Sequence, residues 1–199
     1  MGLSTTTPDG GTPIDPDEAR ALLPKHVATQ AQLNEWEHRN IVEGERWAFG
    51  YRRKNILTRQ FTRRLHRKMF GATWRWAGNW RTTEKNFGIA PELIPARIAE
   101  VLADVAAQLE RGAYPIPEIA ARLHHRVVEI HPFPNGNGRF ARLLADLLLV
   151  NHGHRRFTWG GEDLEAPGAA RESYIAALRA ADAHDYGPLF AFLGIQLPK

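Results

Sequence analysis

Apolar positions recur along this chain mostly at helical spacing. Leu33, Trp36, Ile41 and Trp47 follow a Thr29/Gln32 pair that fits a capping box, which predicts a helix from Thr29 onward. Leu57, Phe61, Leu65 and Met69 step by four and Gly71 follows, giving a second helix whose other faces carry Arg59, Arg63, Arg64, Arg67 and Lys68. Ile98, Leu102, Val105 and Leu109, ended by Gly112, form a third stripe. Pro117 suits a first helical turn before Ile119, Leu123, Val127 and Ile130. A helix from about Gly136 to Asn151 contains the run Leu143 to Val150, apolar enough to be buried. Tyr174, Ala177, Leu178 and Ala181 mark another, and Leu189 to Ile195 a short last one. Residues 80–90 break the pattern with turn formers and aromatics nearby and read as a short hairpin or extended flap. The fold class is mainly α, a helical bundle with a small β-hairpin flap.

Composition refines this picture. The chain has 199 residues and 43% hydrophobic content, which suits one domain with a real core. Residues 1–16, rich in Thr, Gly, Pro and Asp, read as a flexible lead-in with little chemistry; 17–55 form an N-terminal helical segment and 56–199 the core with its C-terminal helices. No long apolar run and no signal-like N-terminus occur, so the expected location is cytoplasmic and no membrane partner is expected. Zero cysteines exclude disulfides, thiolate zinc sites and a cysteine nucleophile. Between Tyr51 and Lys85 there are eleven Lys or Arg against one acid, Glu84. That face is open to a solvated role, to a nucleotide or acidic protein, or to nucleic acid, the last ranked low because no recognition motif accompanies the charge. The tryptophans near it suit the core better than base stacking.

The chemistry concentrates in HPFPNGNGRFAR, His131 to Arg142. A glycine turn opening a helix offers unpaired backbone N–H groups and the positive end of the dipole, a combination that binds phosphate. Gly136 and Gly138 permit close approach of a ligand, and Asn137 between them tolerates unusual dihedrals and carries a donor amide. Arg139 and Arg142, three apart on one face, can reach one polyphosphate. His131 is the one group of the motif able to take a proton near neutral pH, and Phe133 should pin the loop into the core. The motif is not a Walker A loop, and neither HExxH nor a standard zinc spacing of His124, His125 and His131 is present.

HPFPNGNGRFAR resembles the Fic/Doc signature HxFx[D/E]GNGRxxR, and KMFG, WAGNWR and HHRVVEIHPF are similar to further segments of that fold. TPIDPDEARALLPKHVATQAQLNEWE and FTWGG resemble the subfamily called mobile mystery protein B. The resemblance implies a Fic fold that transfers AMP from ATP to a Tyr, Thr or Ser hydroxyl of a target protein, with His131 as base, Gly136, Asn137 and Gly138 around the phosphates, and Arg139 on the β and γ groups. It also implies Mg²⁺, but the family's acidic residue is Asn135 here, and an amide brings no charge to a metal that prefers carboxylates and phosphate. The departure leaves a changed donor or reaction open, such as phosphoryl or phosphocholine transfer, or a quiet nucleotide-binding or regulatory protein. The subfamily likeness suggests a mobile-element, toxin–antitoxin-like setting with a companion helix-turn-helix protein. Finally, Glu43-Gly44 fits the end of the family's inhibitory motif [S/T]xxxE[G/N], although Arg39 replaces the Ser or Thr. The resemblance implies that Glu43 restrains the enzyme by pairing with Arg142.

Overall fold

The computed structural model describes residues 12–50, 55–161, 164–165 and 167–196. The helices are α1 (Pro16–Ala19), α2 (Gln30–Phe49), α3 (Arg59–Phe70), α4 (Ile94–Arg111), α5 (Ile116–Ile130), α6 (Asn137–Asn151), α7 (Ala169–Asp182) and α8 (Gly187–Phe192), with 3₁₀ turns at Pro91–Leu93 and Trp159–Gly161. No described helix is long and apolar enough to cross a membrane.

α6 is the axis of the bundle. Phe140, Ala141 and every residue from Leu143 to Leu149 are buried, as expected of a helix apolar nearly all round. α5 packs along it through Leu123, Val127 and Ile130, and α4 packs on α5. The one acid in the apolar run, Asp146, accepts hydrogen bonds from Arg156 Nε (2.9 Å), the Phe157 N–H (3.2 Å) and Trp159 Nε1 (3.2 Å), and so fastens the segment after α6 to the core.

α2 begins as its sequence predicts: the Thr29 hydroxyl accepts from the Gln32 N–H while the Gln32 side chain returns to the Thr29 N–H. Its buried face is Leu33, Glu37, Asn40, Gly44 and Ala48. Gly44 is there for packing, since a Cβ would lie 2.9 Å from Met69 Cα on α3. Much of the basic face of α3 is spent internally. Arg63 and Arg67 donate to the carbonyls of Gly78 and Ala77, and Arg64 and Lys68 sit over the Trp47 ring.

The flap is not a hairpin. Among the described residues the single β pairing is the isolated bridge Leu22–Trp74, and residues 80–90 are bends and turns. A buried guanidinium does the work of a ladder: Arg81 donates from Nε to the His131 carbonyl (2.6 Å), from Nη1 to the Thr83 carbonyl (2.9 Å) and from Nη2 to the Ile89 carbonyl. Both ends of the loop are thereby tied to each other and to the end of α5.

Candidate functional site

α5 ends at His131, whose left-handed backbone (φ 53°, ψ 62°) turns the chain out of the helix. Six residues later α6 begins, with Gly136 at φ 77° as its N-cap. Gly136 is required twice: its backbone is left-handed, and a Cβ would lie 2.6 Å from Phe70 Cζ. At Gly138 a Cβ would meet no atom closer than Arg142 Nη1 at 3.7 Å, so the space above the first turn of α6 is open. The turn between the helices is held from within. Asn137 Oδ1 accepts from the Phe133 N–H (2.9 Å) and its Nδ2 donates to the Phe133 carbonyl (2.8 Å). Its amide is therefore buried and committed to the loop, and what Asn137 offers a ligand is its position at the helix start, not its side chain. Phe133 is fully buried, as expected, and stacks on His66 at 3.7 Å.

His66, on α3, is a pin that the sequence did not reveal. Nδ1 accepts from the Gly78 N–H (3.0 Å), so Nε2 carries the hydrogen it donates to the Asn135 carbonyl (3.1 Å). Burial pushes its pKa from 6.5 to about 3, keeping it neutral. His124 and His125 are likewise packing residues, bonded to Tyr174 and to Asp182 and Tyr186.

His131, Gly136, Asn137, Gly138, Arg139 and Arg142 line one cleft of about 1380 Å³. Burial, helped by the nearby charges of Arg81 and Lys85, lowers the His131 pKa from 6.5 to about 4. The Val128 carbonyl, which can only accept, acts on the ring so as to favour a hydrogen on Nδ1. With the ring hydrogen assigned there, Nε2 is a bare acceptor facing the cleft. It lies 2.8 Å from the hydroxyl of Thr12. Thr12 to Asp15 were expected to be a quiet lead-in; they instead cross the site, while residues 1–11 lie outside the described part.

Both arginines are held by carboxylates. Arg139 Nη1 donates to Glu37 Oε2 (2.7 Å), its Nε lies 3.7 Å from Glu165 Oε2, and its guanidinium stacks on Phe70 at 4.9 Å. Arg142 Nη2 donates to Glu165 Oε1 at 2.7 Å. Burial opposes ionisation of Glu165, but Arg139 and Arg142 hold its carboxyl below the usual range. The expected Glu43–Arg142 pair does not form. Glu43 is exposed, six residues past Glu37 and off the buried face of α2. Glu37 is the α2 carboxylate that enters the site, with its other oxygen accepting from Trp74 Nε1 at 2.6 Å.

Asn135 is a poor metal ligand here. Its Oδ1 accepts from the Gly136 N–H (2.7 Å) and its Nδ2 donates to the Thr12 carbonyl (3.1 Å). Among the described residues no group of three or more His, Cys, Asp or Glu side chains is placed to hold a metal ion. The side chains present do not fit a magnesium ion held by the protein.

Residues 56–149, which span α3 to α6 and the whole histidine-to-arginine turn, match the Fic/DOC family. That stretch belongs to the family. The bundle is a Fic fold: BepC of Bartonella tribocorum, solved with bound AMPPNP, superposes with a TM-score of 0.68 at 17% identity, covering 93% of this chain and 100% of that one. A protein adenylyltransferase of Caenorhabditis briggsae is 31% identical over 134 residues, 65% of this chain and 25% of its own length. A uridine 5′-monophosphate transferase of Xanthomonas campestris pv. campestris is 56% identical over 36 residues, 18% of this chain and 7% of that protein. The chain thus spans about a quarter of the two Caenorhabditis adenylyltransferases it matches. The Fic motif was legible before the fold; Arg81 closes the WAGNWR segment and Thr12 and Glu37 begin and end the TPIDPDEARALLPKHVATQAQLNEWE stretch, but no local spacing ties them, or Glu165 and His66, to the motif they reach.

Proposed function

We propose that this Fic protein is a protein adenylyltransferase, moving AMP from ATP to a Tyr, Thr or Ser hydroxyl of a target protein. The observation that carries the reading is His131: a buried neutral imidazole with a bare Nε2 that opens on the same cleft as a helix N-terminus and two arginines. The backbone N–H groups at the start of α6 receive phosphate oxygens, and Arg139 and Arg142 hold the β and γ groups. His131 Nε2 takes the proton of the acceptor hydroxyl. The hydroxyl oxygen bonds to the α-phosphorus, the bond from that phosphorus to the β-phosphate oxygen breaks, and pyrophosphate leaves with the electron pair.

In the resting protein the polyphosphate must compete with Glu37 for Arg139 and with Glu165 for Arg142. The cleft is therefore self-restrained, by Glu37 on α2 and Glu165 on the loop before α7. The likeness to a uridine 5′-monophosphate transferase over 36 residues supports a second reading in which the transferred nucleotide is UMP. Incubating the protein with host lysate and ATP or UTP labelled at the α-phosphate tests both. The label is expected to move from ATP to protein and to be lost in His131→Ala; transfer at the wild-type rate by His131→Ala would sink the assignment.

A further inference from the structure

The cleft already holds an acceptor group from its own chain. Thr12 Oγ1 lies 2.8 Å from His131 Nε2 across 119 residues of sequence, and the Thr12 carbonyl accepts from Asn135 Nδ2 at 3.1 Å. Three residues on, Lys85 of the flap grips the same segment, donating to the Pro13 carbonyl (3.3 Å), Asp15 Oδ2 (2.8 Å) and Glu18 Oε2 (2.6 Å). The side chains of Lys85 and Glu18 are 2% and 12% exposed, so this arm of the clamp is largely desolvated, while Asp15 stays partly in water at 44%. Asp15 and Glu18 are themselves fixed by the capping box of α1, which sets how far from the clamp position 12 falls. Pro13 disfavours a helical backbone at Thr12, which lies outside any helix. Thr12 and Ile14 line the cleft together with Gly136, Arg139 and Arg142.

We propose that Thr12 is an internal acceptor: the protein transfers a nucleotidyl group to its own Thr12 hydroxyl, and residues 12–18 occupy the place of an incoming acceptor peptide. This rests on the nucleotidyl transfer proposed above. A hydroxyl within hydrogen-bond reach of a bare imidazole nitrogen is placed for proton removal. Thr12 Oγ1 bonds to the α-phosphorus of a bound nucleoside triphosphate, its proton passes to His131 Nε2, and pyrophosphate leaves as the bond from the α-phosphorus to the β-phosphate oxygen breaks. The product is a phosphodiester of threonine and the nucleoside. Because the strap is tethered, its hydroxyl competes with target proteins at a high local concentration.

The test uses the full chain, wild type and Glu37→Gln, incubated with α-labelled ATP and magnesium and mapped by peptide mass spectrometry. The expected result is AMP on Thr12, formed at a first-order rate that does not change as the protein is diluted. Thr12→Val loses the self-label, Thr12→Ser retains it, and His131→Ala has none. Fragment ions must separate Thr12 from Ser4, Thr5, Thr6 and Thr7 of the same stretch. Self-label that persists in Thr12→Val, or that maps to another residue, overturns the proposal. Lysate proteins incubated with Glu37→Gln report transfer independently. If they are labelled while Thr12 stays unmodified, the internal acceptor alone fails; if nothing is labelled, the transferase reading fails with it.

Discussion

Replacing Glu37 by glutamine separates the two roles of that carboxylate. One oxygen accepts from Trp74 Nε1 at 2.6 Å and the other from Arg139 Nη1 at 2.7 Å, in a residue 6% exposed. A glutamine of the same shape keeps an oxygen for the indole but turns an NH₂ toward the guanidinium, setting donor against donor. A charge-assisted hydrogen bond is worth about 1.5–3 kcal/mol net. That is the energy an entering polyphosphate no longer has to displace, so at about 1.4 kcal/mol per tenfold the variant should bind nucleotide roughly 10- to 100-fold more tightly. The apo fold moves the other way. Removing one partner of a buried pair costs about 3–5 kcal/mol, but Arg139 is 18% exposed and keeps Glu165 at 3.7 Å and the Phe70 ring at 4.9 Å. A loss of about 1–3 kcal/mol is expected after that discount. Titration calorimetry with a non-hydrolysable ATP analogue, alongside thermal unfolding with and without it, reads both. The apo Tm should fall and the nucleotide-induced rise in Tm should grow. Glu43→Gln, on the exposed face, should change neither. A folded Glu37→Gln protein that binds the analogue with wild-type affinity would refute the claim that Glu37 guards Arg139.

Two glycines of the turn should separate stability from binding. Gly136→Ala forces a side chain into a left-handed backbone and against Phe70, at an expected cost of about 1–3 kcal/mol in urea unfolding. Gly138→Ala meets no protein atom within 3.4 Å, so its stability should stay within about 1 kcal/mol, while the methyl occupies ligand space and nucleotide affinity falls at least about tenfold. Stability should also depend on acid. His66, His124 and His131 have folded pKa values of about 3, about 3 and about 4 against 6.5 unfolded, each lowered first by burial. Between 6.5 and those values the unfolded chain binds more protons, so stability is complete above about pH 6.5 and lost as pH falls, by up to about 1.4 kcal/mol per pH unit per histidine. Urea midpoints should be level from pH 7 to 8 and drop steeply below 6; equal midpoints at pH 7 and 5 would contradict the buried neutral assignment.

What the sequence disclosed follows from how far each interaction reaches. The helices, the Thr29 capping box and the glycine turn are local, and they reappear in the fold. Glu43 shows how a local reading fails. The stripe Leu33, Trp36, Ile41, Trp47 suggested a face that would carry Glu43 inward, but the face that packs on α3 is Leu33, Glu37, Asn40, Gly44 and Ala48. One residue of phase is about 100° of rotation, enough to move a carboxylate from core to solvent. Trp36 and Trp47 mislead because large aromatics half-bury at the edge of a stripe, whereas the centre of this one holds Glu37 and a glycine. The hairpin failed for a different reason: turn formers were read as a ladder, yet one guanidinium, Arg81, takes the carbonyls on both sides of the loop.

The partners that complete the site share a physical logic. Glu37, Glu165 and Thr12 come from α2, from the loop before α7 and from the strap before α1, and each occupies a position that a substrate group would take in the proposed transfer. Two carboxylates stand where phosphate oxygens would meet Arg139 and Arg142, and a hydroxyl stands where an acceptor would meet His131. An empty cleft with two arginines and a buried histidine would leave donors and an acceptor desolvated without partners, which a stable fold avoids. The chain therefore supplies its own surrogates for both substrates. On the proposed transfer, nucleotide would displace the carboxylates to bind, whereas the acceptor surrogate carries the reactive group itself, so the same device that completes the resting site would also present it with its first hydroxyl.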